Sequence, residues 1–74
     1  MENIQNILVF ATNIRTNNDK QLISQTLNEI SEIYQLNIDQ EDIDCVLRVV
    51  SKTLSEEQII NIVNRHNFNC KPLD

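Results

Sequence analysis

Seventy-four residues suffice for one domain with a small core, since a chain of this size buries only about 60% of the surface its unfolded form exposes. Six Lys and Arg residues against eleven acids give a net charge of −5, and the basic ones are scattered, which argues against the clustered cationic footprint of a nucleic-acid binder. Glycine is absent, so phosphate-cradling loops that need its close backbone approach are excluded.

Without glycine, tight turns fall to Asn and Asp, the next residues to tolerate a left-handed backbone. No stretch approaches the roughly 18 apolar residues of a membrane span. The N-terminus shows no basic flank followed by an apolar run and cleavage site, so a cytoplasmic location is expected, with no membrane partner. Two cysteines without an export signal do not make a disulfide framework.

Along the chain, Ile7 to Thr12 is β-branched and aromatic, bounded by polar residues, and predicts a strand. If Ile7, Val9 and Ala11 face the core, alternation sends Leu8, Phe10 and Thr12 to the other side. Thr16, Asn17, Asn18 and Asp19 fit a capping box, with Asn17 and Asn18 as alternative caps. The helix they open carries Leu22, Ile23, Leu27, Ile30 and Ile33 or Tyr34 at helical spacing.

Leu36 and Ile38 then alternate with Gln35, Asn37 and Asp39 as a short strand. The acidic segment from Asp39 to Asp42 reads as a turn, and Cys45 to Val50 as a third, central strand. Ser55, Glu56, Glu57 and Gln58 form a second capping box with acid in the first turn. Its helix runs through Ile59, Ile60, Ile62 and Val63 to about His66, where Asn67 takes the left-handed stop. Phe68 to Leu73 alternates as a last strand, and Pro72 suits an edge.

The order β-α-β-β-α-β is that of an α+β ferredoxin-like split unit. It implies a four-stranded antiparallel sheet in the order 4-1-3-2, with two helices on one face, in a single domain over 1–74.

On these residues the chain resembles the heavy-metal-associated domain, the fold of small copper chaperones. That family's turn reads Gly-Met-x-Cys-x-x-Cys, followed by a helix with an apolar-x-x-small-Leu pattern. Aligning the latter on Ile23 to Leu27 puts Asn13 at the glycine, Ile14 at the methionine, and Thr16 and Asp19 at the two cysteines. Asn67 and Phe68 resemble the family's Gly-aromatic pair. The metal motif is therefore absent: a hydroxyl and a carboxylate are hard donors, where two thiolates would hold soft copper or zinc. No cofactor is expected.

Cys45 and Cys70 are the alternative metal ligands. Both begin strands at the end of the sheet near that turn, on strands that flank the first and so lie about 9–10 Å from each other. A disulfide needs α-carbons within about 7 Å, so none is expected. Both share parity with core-facing neighbours, which also suits buried structural thiols. His66, the sole histidine, reads as a C-cap residue, or as a third alternative ligand.

Asp39, Glu41, Asp42 and Asp44 lack the Gly and terminal Glu of a calcium loop. No base-orienter pair stands out, so no enzyme is expected.

The remaining surface is the sheet face turned away from the helices. With the parity above, Leu8, Phe10, Val46, Arg48 and Val50 gather there as an apolar patch with a polar rim, as in an interface. The leading expectation is a non-enzymatic module acting by protein contact or homodimer formation through that face. The alternative is a divergent heavy-metal-binding or metal-sensing domain using Cys45, Cys70 or His66. Fold analogy adds a third, a sensor of small ligands or peptides.

Overall fold

The computed structural model describes residues 6–73. The elements run β1 (Asn6–Thr12), α1 (Asn17–Asn28), β2 (Ile33–Asp39), β3 (Val46–Ser51), α2 (Glu56–Arg65) and β4 (Cys70–Pro72). The strands form one sheet in the order β2-β3-β1-β4, with every pairing antiparallel. This is the ferredoxin-like arrangement expected from the sequence.

Both helices start on a side-chain cap. At α2 the full box forms: Ser55 Oγ accepts from the Gln58 amide at 3.2 Å, and Gln58 Oε1 accepts from the Ser55 amide at 2.8 Å. At α1 the hydroxyl half forms, with Thr16 Oγ1 accepting from the Asp19 amide at 3.0 Å. Helix α2 ends with Asn67 at φ 70°. The Asn67 and Phe68 amides then donate to the Asn64 and Val63 carbonyls, which is the Schellman pattern with asparagine in the place of glycine.

Helix α1 stops at Asn28 with Glu29 as its cap, earlier than the apolar spacing predicts. Ile30 instead sits in a turn and Ile33 opens β2, yet both pack on the same core. Their spacing imitates a continuing helix because turn and strand deliver them to one place. Leu22, counted with the apolar face, is 43% exposed, while Ile23 and Leu27 are buried.

The main correction concerns β1. Phe10 is fully buried among Ile14, Ile23, Leu27, Leu47 and Ile59, and Leu8 packs against that cluster. Register agrees: Leu8 faces Val49 and Phe10 faces Leu47, and directly opposed residues share a face. Leu8 and Phe10 therefore point at the helices, and Ile7 and Val9 point away.

Four consecutive apolar residues leave the alternation undecided. Burial decides it, because a phenyl ring removes more apolar surface from water than the Val9 or Ala11 side chains. Val46 is only 2% exposed and adds nothing to an open patch. Of the five residues expected there, Val46, Arg48 and Val50 lie on the outer face by register, opposite Asp39, Asn37 and Gln35, and of these only Arg48 and Val50 are open to solvent. Ile7, 66% exposed, joins them opposite Val50.

This parity is directly testable by urea denaturation. Phe10→Ala should cost about 3–5 kcal/mol, whereas Ile7→Ala should stay within about 0.5 kcal/mol of wild type. Comparable losses at the two positions would contradict the assignment.

Candidate functional site

In the turn between β1 and α1, the backbone already claims the polar atoms. Thr16 Oγ1 caps α1 as above, and Asn13 Oδ1 accepts from the Asn69 amide at 2.8 Å. Gln40 Nε2, reaching over from the β2–β3 turn, donates to the Ile14 carbonyl at 3.3 Å and the Thr16 carbonyl at 2.8 Å. Ile14 is fully buried and anchors the turn in the core. With hard oxygens spent on capping, the turn does not fit a soft metal ion.

The acidic segment is likewise turn chemistry. Asp39 Oδ1 accepts from the Glu41 amide at 3.1 Å, and Asp42 Oδ1 from the Asp44 amide at 2.9 Å. His66 is the C-cap residue of α2. Among the described residues, no group of three or more His, Cys, Asp and Glu side chains is placed to hold a metal ion.

Cys45 and Cys70 flank Thr12 from opposite sides. Cys70 is its register partner on β4. On the other side the β1–β3 ladder runs to Phe10 opposite Leu47, and Cys45 stands just before β3. Hydrogen bonds fix that approach: Thr12 Oγ1 donates to the Cys45 carbonyl at 2.6 Å, and the Thr12 amide donates to the Asp44 carbonyl at 2.8 Å. Strands on either side of a third lie about 9–10 Å apart, which is too far for a disulfide, and both cysteines are free.

Cys45 has φ 43°, a left-handed conformation that costs a residue with a Cβ about 1–2 kcal/mol. Glycine or asparagine would sit there at less cost, yet the chain keeps a thiol. Its sulfur lies 3.8 Å from Arg15 Nη1, which donates to it. Cys70 is 9% exposed, and burial pushes its thiol up to about 12. Beside Cys70 a shallow hollow of about 550 Å³ is lined by Thr12, Asn13, Arg15, Asp44, Asn69 and Cys70 among others, and Cys45 does not line it.

The sequence places both cysteines at this end of the sheet, but it carries no sign of the left-handed Cys45 or of its Arg15 contact. His66 does not line the hollow. The outer sheet face holds a second hollow of about 450 Å³, lined by Ile7, Gln35, Leu36, Asn37, Arg48 and Val50.

No family model and no curated protein matches the chain. Solved structures do match. The crystal structure of oxidized MerP from Ralstonia metallidurans CH34 superposes with a TM-score of 0.82 over 96% of this chain and 100% of its own, at 4% identity. A structure described as the CsoZ metallochaperone gives 0.78 with the same coverage, at 16% identity. The chain has the fold of a heavy-metal-associated domain. At these identities the likeness concerns the fold, and the residues of the site must be argued on their own.

Burial holds the Cys70 thiol above the ordinary thiol value of 9.0, so that its thiolate forms only at higher pH. In a Cys45→Ser background, alkylation of folded protein should keep accelerating beyond pH 9, the ordinary thiol value, and level only near 12. A plateau near pH 9 would contradict the buried environment.

Proposed function

We propose that this chain is a non-enzymatic domain that binds a soft metal ion, monovalent copper foremost, through Cys45 and Cys70. The observation that carries the reading is the placement of Cys45 and Cys70 on either side of Thr12, at the end of the sheet where the β1–α1 turn lies. Two soft sulfur donors suit a monovalent soft ion, which accepts low coordination numbers and leaves water outside. The Arg15 guanidinium at Cys45 supplies a positive partner for the anionic pair of thiolates that such an ion would hold.

The fold likeness to a metallochaperone supports the same class. Uptake requires protons to leave the thiols, so affinity should weaken as pH falls.

Competition with a chromophoric copper(I) chelator, under strict reduction, tests the reading. Wild type should take up one ion per chain. Cys45→Ser/Cys70→Ser, checked for folding by circular dichroism, should lose more than about 100-fold in affinity, beyond what loss of an outer hydrogen bond produces. Thr16→Ala should bind as wild type. Failure of the reduced wild type to compete would overturn the proposal.

The outer sheet face supports a second reading, protein contact. Ile7 stands 66% exposed there beside half-buried Val50, around exposed Arg48. An apolar patch centred on one cation fits a partner that offers a carboxylate among apolar side chains.

A further inference from the structure

The two edges of the sheet are guarded very differently. Strand β4 is three residues long and contains Lys71 and Pro72. A short strand, a charge and a missing amide are the usual means of stopping an edge from pairing. Strand β2, at the opposite edge, has seven residues and neither Lys, Arg nor Pro. Its one irregularity lies between Ile33 and Gln35, so Gln35 to Asp39 remain regular. In a chain with eleven acids, the six residues from Ile33 to Ile38 carry no charge.

The strand is also complementary to itself. Two copies related by a two-fold axis normal to the sheet must pair antiparallel in a register that joins like faces. Centred on Leu36, the regular part of the strand meets its copy with Leu36 against Leu36 and Gln35 against Asn37, and the irregularity between Ile33 and Gln35 ends the regular register there. Gln35 and Asn37 lie on the outer face, opposite Val50 and Arg48, while Leu36 and Ile38 lie on the helix face, opposite Val49 and Leu47.

Amide therefore meets amide on the outer face, apolar meets apolar on the helix face, and no charge faces its like.

We infer that the outer edge of β2 binds the same edge of a second copy, giving a symmetric dimer with one continuous eight-stranded sheet. The occupant is a second copy because Gln35, Leu36 and Asn37 match their own reverse in face, polarity and charge. The backbone bonds across the junction supply the affinity, and the Gln35–Asn37 amide pairs set the register. The thiols take no part, so this inference stands or falls apart from the metal reading.

Sedimentation equilibrium of the full chain at high micromolar concentration tests it. Wild type and Cys45→Ser/Cys70→Ser should both dimerise. Gln35→Lys/Asn37→Lys, two exposed positions, sets Lys against Lys twice and should raise the dissociation constant roughly tenfold or more. Gln35→Glu/Asn37→Lys sets Glu against Lys twice and should restore the dimer. A monomeric wild type would overturn the inference. So would a dimer indifferent to these charges, or one split by Ile7→Lys on the outer face while both charge pairs leave it intact.

Discussion

The hydroxyl of Thr12 is the point on which the functional end of this molecule depends. It donates to the carbonyl of Cys45 at 2.6 Å and accepts from the amide of Ile14 at 3.2 Å, in a site with almost no access to water. One buried group thus ties the end of β1 to the start of β3 and to the turn that leads into α1. Its removal would strand a buried carbonyl and a buried amide, and an unsatisfied buried group costs about 1–3 kcal/mol. Cys70 on β4 completes the arrangement as its register partner. The orientation of β1 follows from the same need, since Thr12 faces inward only if Phe10 and Leu8 do.

A chain without glycine must solve its turns by other means. Asn67 ends α2 in a left-handed conformation, and Asp39 and Asp42 fold the β2–β3 turn around their own carboxylates. Cys45 is the exception, because nothing about a thiol favours φ 43°. The hydrogen bonds around it hold the strain, with the Cys45 amide donating to the Asp42 carbonyl at 2.9 Å and Thr12 holding its carbonyl. In the turn between β1 and α1, by contrast, Thr16 and Gln40 serve the backbone.

Much of this architecture is legible in the sequence, and for identifiable reasons. The boxes at Thr16 and Ser55 and the stop at Asn67 rest on local bonds, which short motifs encode. Strand order followed from element order. What escaped was long-range. Leu8, Val9, Phe10 and Ala11 are all apolar, so the face of β1 is set by packing against Leu47 and Ile59 rather than by pattern. The end of α1 escaped because Ile30 and Ile33 reach the core from a turn and a strand. Both cysteines were placed at the correct end, but the contact of Arg15 with Cys45 spans thirty residues and leaves no sequence signature.

The picture is of a heavy-metal-associated fold whose β1–α1 turn serves structure, and the proposal places its soft donors at Cys45 and Cys70. X-ray absorption at the copper edge, on reduced protein loaded with one equivalent of copper(I), tests that claim most directly. The account predicts a first shell of two sulfur atoms, with one lost on Cys45→Ser. A shell of nitrogen and oxygen, or a sulfur count unchanged by that substitution, would contradict it.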